Sequence, residues 1–72
     1  MDNVIASKEL QVERKHLVIE FRENPRGRFL RITEDVSGRR DTIIIPAPGL
    51  AEFKKIVDEM VKVSSEAPEK PA

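Results

Sequence analysis

The chain has 72 residues and carries 13 basic and 13 acidic side chains, so its formal net charge is zero. A domain this short buries only about 60% of the surface that its unfolded chain exposes. The absence of cysteine excludes a disulfide framework and cysteine-based metal sites. The apolar pieces near the start are too short for a signal peptide or a membrane span. We therefore expect a cytoplasmic protein, with no membrane partner, whose small core is completed by self-association.

The basic residues are unevenly distributed along the chain. All seven arginines lie between positions 14 and 40, where Lys15 brings the basic side chains to eight against four acidic ones. Beyond position 50 every basic residue is a lysine. Arginine is suited to planar, bidentate phosphate contacts and to stacking on bases. The segregation therefore favours an anionic partner for residues 14–40 despite the zero net charge.

The first part of the chain predicts two strands. Residues 1–7 are expected to form a flexible lead. Residues 8–13 and residues 15–23 each alternate apolar and polar side chains, as half-buried strands do. The apolar residues move from even to odd positions between the two stretches, which predicts a bulge or a tight bend at residues 13–15.

Two turns and two further strands follow. The segment Asn24–Gly27 has asparagine first, proline second and glycine fourth, which are the preferences of a type I turn. Residues 28–34 then alternate as a third strand. A second turn with glycine at its fourth position is predicted at residues 35–38, and a fourth strand at residues 39–45. Pro46 ends the pairing because it has no amide hydrogen to donate.

The spacing of apolar residues becomes helical after Pro48, which suits a first helical position. The repeating apolar positions are Leu50, Phe53, Val57, Met60 and Val61. Phe53 and Met60 are expected in the core. Residues 64–72 are rich in proline, serine and glutamate and are expected to form a disordered tail. The predicted fold class is α+β: a four-stranded antiparallel sheet followed by one C-terminal helix that covers one face, all within residues 8–63.

The uncovered face of the predicted sheet mixes apolar and basic side chains. On the third strand, Phe29 and Arg31 project from this face, two residues apart. A ring beside a guanidinium suits a single-stranded nucleic acid, whose bases stack and whose phosphates pair. Val18 and Ile44 share the face, and an exposed apolar cluster of this kind indicates some contact. That contact can be a nucleic acid or another protein chain.

The residues also resemble a known repeat. The most specific run is Glu23-Asn24-Pro25-Arg26-Gly27-Arg28-Phe29-Leu30-Arg31-Ile32-Thr33-Glu34, supported by Ala6-Ser7-Lys8, Val12, Lys15, Arg39-Arg40, Ile43-Ile44-Ile45-Pro46 and Leu50-Ala51-Glu52-Phe53. This pattern is similar to the PUR repeat of the Pur-alpha, purine-rich-element-binding proteins, over about residues 6–62. The chain differs from repeats of the animal proteins at Leu17-Val18, where those repeats have an aromatic pair.

The resemblance implies a ββββα repeat that pairs with a second one through sheets and helices. It implies binding of purine-rich single-stranded DNA or RNA and a part in transcription regulation. Because one repeat is present, the chain resembles a bacterial-type, single-repeat member, which has to form a homodimer.

From the residues and the resemblance together, we predict a set of nucleic-acid-binding residues. They are Arg14, Lys15, His16, Arg22, Arg26, Arg28, Phe29, Arg31, Arg39 and Arg40. Phe29 can either stack on a base or pack at a protein interface, and the alternative for the Arg39-Arg40 pair, which sits beside Asp41, is a solvated turn. A protein-interaction or dimerisation module is the alternative function.

No residues with a pattern typical of catalysis, a metal site or a cofactor site stand out. His16 is an isolated histidine with no cysteine or second histidine to join it as a ligand. Glu34 and Asp35 are adjacent, but no other group converges on them. No phosphate-cradling glycine loop is present. We therefore expect no catalytic activity, no cofactor and no small-molecule substrate.

Overall fold

The computed structural model describes residues 2–66 and confirms the predicted α+β class. The strands form one antiparallel sheet in the order β1-β2-β3-β4. The elements are β1 (Asn3–Val12), β2 (Lys15–Asn24), β3 (Gly27–Val36), β4 (Arg39–Pro46), a short 3₁₀ helix (Ala47–Gly49) and α1 (Leu50–Glu66). Within residues 2–66, no helix is long and apolar enough to cross a membrane.

The apolar residues move from even to odd positions between the first two strands, and the structure has a tight turn at this point. Val12 pairs with Lys15, so Glu13 and Arg14 form a two-residue loop, with Glu13 at φ 54°. A separate bulge interrupts the register between Val4 and Ala6. β1 begins at Asn3, so most of the lead expected at residues 1–7 belongs to a strand.

The two remaining turns differ in their geometry. In the first, the Asn24 side-chain oxygen accepts a hydrogen bond from the backbone N–H of Arg26 at 2.9 Å, which closes the turn locally. The second turn lies one residue later than predicted, because Val36 pairs directly with Arg39. Its central residues, Ser37 and Gly38, both have positive φ, 51° and 85°. This combination is typical of a type I′ turn, which matches the twist of the strands it joins.

The strand register divides the side chains between two faces. One face, called the aliphatic face, carries Leu10, Val12, Leu17, Ile19, Phe21, Leu30, Ile32, Ile43 and Ile45. The other, called the arginine face, carries Glu9, Gln11, His16, Val18, Glu20, Arg22, Phe29, Arg31, Thr33, Asp35, Arg40, Thr42, Ile44 and Pro46. The alternation predicted from the sequence is confirmed by this register.

The position of α1 corrects the prediction that the helix covers its own sheet. α1 makes its main contacts with the preceding 3₁₀ helix and none of substance with a strand. No side chain among residues 2–66 is fully buried. Phe53 and Met60, expected in the core, are 38% and 56% exposed. The apolar side of α1 and the aliphatic face therefore both lack a covering layer within the single chain.

The end of α1 also differs from the expected domain boundary. The helix extends through Glu66, so residues 64–66 are helical. The rest of the expected tail, residues 67–72, lies outside the described residues.

Candidate nucleic-acid interface

The arginine face has an ordered arrangement of charges and apolar groups because cross-strand partners stand side by side. Arg22 on β2 lies directly opposite Phe29 on β3. Arg31 lies opposite Glu20 on one side and opposite Ile44 on the other. Directly opposite residues have Cβ atoms about 5 Å apart. A ring, two guanidinium groups, a carboxylate and an aliphatic side chain therefore share one small area of the face.

Arg22 is held by carboxylates. Its Nη1 donates to Glu20 Oε1 at 3.0 Å, and its Nε lies 3.7 Å from Asp2 Oδ2. The Nε atom is buried and makes no hydrogen bond to the described residues. The Arg22 side chain is only 16% exposed. Its charge is therefore largely balanced and shielded before any ligand arrives, which suits a positioning role better than a phosphate contact.

Two more basic side chains on this face have carboxylate partners. His16 Nε2 lies 2.6 Å from Glu9 Oε1, and Arg40 Nε donates to Asp35 Oδ2 at 3.3 Å. Both pairs lie toward the end of the sheet that carries the β1–β2 and β3–β4 turns. Exposed ion pairs of this kind contribute about 0–1 kcal/mol to stability. A phosphate can therefore compete with Asp35 for Arg40 at low energetic cost.

Arg31 differs from these cations. Among residues 2–66 it makes no ion pair and no side-chain hydrogen bond. It is also near the middle of the sheet, on β3, which has a strand on each side. Its five N–H donors are therefore available to an anionic ligand on this face.

Phe29 lines an open groove of about 710 Å³ at the end of the sheet. The groove lies where the β2–β3 turn faces the end of β4 and the 3₁₀ helix. Its lining residues are Asn24, Arg26, Gly27, Arg28, Phe29, Ile44, Pro46, Ala47 and Pro48. The lining is mostly apolar, which suits a nucleobase, and Arg26 supplies a cation for the attached phosphate.

The structure does not bring all ten predicted binding residues together. Five of them share the arginine face: His16, Arg22, Phe29, Arg31 and Arg40. Arg14 lies in the β1–β2 turn and Arg26 in the β2–β3 turn. Lys15, Arg28 and Arg39 lie on the side of the sheet that carries the aliphatic face.

Two of the residues on the aliphatic side are engaged in ion pairs at the ends of the sheet. Lys15 Nζ lies 2.8 Å from Glu34 Oε2, and Arg28 Nε donates to Glu23 Oε1 at 2.9 Å. The hydrogen bond to Glu34, and then the attraction of its charge, raise the pKa of Lys15 above 10.5. These contacts account for both side chains without a nucleic acid.

The carboxylates of the arginine face are site residues that the sequence alone does not single out. The structure shows that Glu9, Glu20 and Asp35 each hold a basic side chain there. The sequence does indicate the pairing of Glu20 with Arg22, because the two residues are two apart in a strand and so project from the same face. The cross-strand pairs need the register and could not be read from spacing alone.

Comparison with known proteins gives the family. Residues 1–71 match the family model described as PurA ssDNA and RNA-binding protein. The chain is 48% identical over 52 residues to Transcription factor Pur-alpha 1 of Arabidopsis thaliana, covering 72% of the chain and 18% of the relative. It is 38% identical over 60 residues to Transcriptional activator plp-1 of Caenorhabditis elegans, covering 79% of the chain and 26% of the relative. The chain thus spans about a quarter or less of the length of these two relatives. The description of the matched model names nucleic-acid binding. The chain belongs to the PurA family of single-stranded DNA- and RNA-binding proteins.

Proposed function

We propose that this protein is a non-catalytic homodimer that binds purine-rich single-stranded DNA or RNA through the arginine face. The observation that carries the proposal is the placement of Phe29 in an open apolar groove, two residues from Arg31, which has no carboxylate partner among residues 2–66. A stacking platform and an available cation thus stand side by side on one strand.

Binding at this face uses two separate contacts. Side chains two residues apart on a strand stand about 7 Å from each other. One nucleotide can therefore stack its base on Phe29 while a neighbouring phosphate pairs with Arg31. Stacking is worth about 1–3 kcal/mol per base. Purines offer a larger ring surface to Phe29 than pyrimidines do, which supports the preference for purine-rich strands.

The proposed homodimer rests on the uncovered apolar surfaces. The chain exposes 6346 Å², against about 4500 Å² expected for a folded monomer of its mass. The excess of about 1800 Å² per chain is of the order that obligate dimers bury. Among residues 2–66, the aliphatic face and the apolar side of α1 carry exposed large hydrophobic side chains. A second copy carries the same two surfaces and can cover both.

The proposed ligand also bears on where in the cell the protein acts and on which process it serves. We propose that the protein acts in the cytoplasm or the nucleoid, where single-stranded DNA and RNA occur. The two relatives are named as a transcription factor and a transcriptional activator. Regulation of transcription is therefore the role that we propose for the bound strands.

The test is fluorescence anisotropy with a labelled purine-rich single strand, repeated over a salt series. Arg31→Ala should weaken binding to all strands and lower the salt slope by about 0.7, the value for one phosphate contact. Phe29→Ala should weaken binding by about 1–3 kcal/mol with the slope unchanged. Arg39→Ala is the matched control, because Arg39 lies on the opposite side of the sheet, and it should change little. Equal losses from Arg31→Ala and Arg39→Ala would contradict the assignment of the face.

A second candidate function is a protein-interaction module. The observation that favours it is Ile44, which is 58% exposed on the arginine face and lines the Phe29 groove. The same variants separate the two functions. If Phe29→Ala binds single strands normally but dissociates into monomers, the ring belongs to a protein interface.

A further inference from the structure

We propose that Glu20 is the residue that selects guanine among the bases that bind the arginine face. This inference rests on the proposed function. Glu20 lies directly opposite Arg31, and Phe29 is its diagonal neighbour on β3. Diagonal cross-strand neighbours are about 7 Å apart, within reach of aromatic and long side chains. A base that stacks on Phe29 and extends toward β2 is therefore within reach of the Glu20 carboxylate with one of its edges.

The Glu20 carboxylate is held in place before a base arrives. One of its oxygens accepts a hydrogen bond from Arg22 Nη1 at 3.0 Å, and the side chain is only 20% exposed. Arg22 is itself 16% exposed and has Asp2 as a second carboxylate neighbour. An ionised carboxylate accepts at about four positions, so the bond to Arg22 leaves acceptor capacity free. Its fixed orientation reduces the entropy lost when a base donates to it.

The donor pattern of the four bases decides which of them this carboxylate accepts. In single strands the Watson–Crick edge is open to the protein. Guanine presents two adjacent donors there, the ring N1–H and the exocyclic amino group. Adenine and cytosine place one amino group beside a ring acceptor, and thymine or uracil places one N–H between two carbonyls. Guanine alone offers two adjacent donors to the two oxygens of a carboxylate.

The negative charge also makes the selection sharper. Glu20 stands beside the path of the phosphates, where it repels every strand alike. Only a base that donates hydrogen bonds to the carboxylate offsets that repulsion. Bases that place a carbonyl or ring nitrogen against Glu20 add a second repulsive contact, which is how specificity is commonly increased.

The test compares thymine strands of about twelve nucleotides that carry one central guanine, inosine or 7-deazaguanine. Inosine lacks the exocyclic amino group, whereas 7-deazaguanine keeps the whole Watson–Crick edge. By fluorescence anisotropy, the wild-type protein should bind the guanine strand about tenfold more tightly than the inosine strand. It should bind the 7-deazaguanine strand as tightly as the guanine strand. This comparison needs no variant of the protein.

The substitution Glu20→Gln then assigns the effect to the residue. The amide keeps an oxygen for Arg22 but presents its NH₂ group to the donors of guanine. We expect the guanine-to-inosine ratio to fall to about one. Glu9→Gln is the matched control, because Glu9 lies on the same face and its carboxylate also contacts a basic side chain, His16. It should leave the ratio at about tenfold.

Three results would overturn the assignment of Glu20 while leaving single-strand binding intact. The first is equal binding of the guanine and inosine strands by the wild-type protein. The second is tighter binding of every strand by Glu20→Gln with the guanine-to-inosine ratio unchanged. That result would mean that the negative charge of Glu20 repels all strands and selects no base. The third is a loss of affinity for 7-deazaguanine, which would place the contact on the other edge of the base. Failure of the wild-type protein to bind any strand would instead refute the proposed function.

Discussion

The two neighbours Ile43 and Ile44 allow a direct test of the proposed dimer. They have the same side chain and nearly the same exposure, 56% and 58%, but they project from opposite faces of β4. Ile43 belongs to the aliphatic face and Ile44 to the arginine face. Ile43→Ala should therefore weaken the dimer, and Ile44→Ala should leave it unchanged.

The expected size of the effect follows from the exposed fraction. Complete burial of an isoleucine side chain stabilises by about 1.5–3 kcal/mol. About half of Ile43 is already shielded within the chain, so covering the remainder contributes about 1 kcal/mol for each copy. A symmetric dimer contains the residue twice. The total of about 2 kcal/mol corresponds to an increase of about 30-fold in the dimer Kd.

Sedimentation equilibrium over a concentration series measures this Kd. The wild-type protein should be a dimer at micromolar concentration, and Ile43→Ala should dissociate at about 30-fold higher concentration than the wild type. Two outcomes would refute the reasoning. One is a stable, folded wild-type monomer of 8.2 kDa, and the other is dissociation caused by Ile44→Ala but not by Ile43→Ala.

Two further predictions concern the folded chain. Gly38→Ala should cost about 1 kcal/mol in the free energy of unfolding, because φ is +85° there and the added Cβ meets open space, so backbone strain acts alone. Gly49→Ala is the control, since its Cβ would lie 4.0 Å from Ile45; urea unfolding should show it within about 0.5 kcal/mol of the wild type. Equal losses of unfolding free energy in Gly38→Ala and Gly49→Ala would contradict the positive φ at Gly38. The raised pKa of Lys15 means that the Glu34 pair stabilises the fold fully below pH 10.5, and this contribution is lost as the pH rises through the raised value. Melting temperatures measured above pH 10 should fall less steeply in Glu34→Gln than in the wild type, and identical slopes would contradict the pairing.

The sheet and its two faces could be predicted from the sequence because β-strand alternation has a period of two residues. Once Ile32 and Ile43 are assigned to one face, Arg31 and Ile44 must lie on the other, and the register confirms this. β1 begins at Asn3 and not at residue 8 as predicted, because the bulge between Val4 and Ala6 breaks the alternation that marks a strand.

The position of the helix could not be predicted from the sequence. The spacing of apolar residues in α1 shows that one side of the helix needs a covering layer, but not which sheet provides it. The single chain leaves Phe53 and Met60 exposed, so this layer is not its own sheet. Likewise, the arginine content of residues 14–40 indicates cations but not their partners. Register and side-chain geometry are needed to separate Arg22, which Glu20 holds, from Arg31.

Methyl resonances of the side chains can show whether single strands bind the arginine face. The chain offers methyl groups on both faces at neighbouring positions: Val18 and Ile44 on the arginine face, Ile19 and Ile43 on the aliphatic face. Carbon–proton correlation spectra recorded during titration with a purine-rich single strand would report on all four. If the strand binds the arginine face, the Val18 and Ile44 methyl signals should shift while those of Ile19 and Ile43 stay in place. Shifts confined to Ile19 and Ile43 would contradict it.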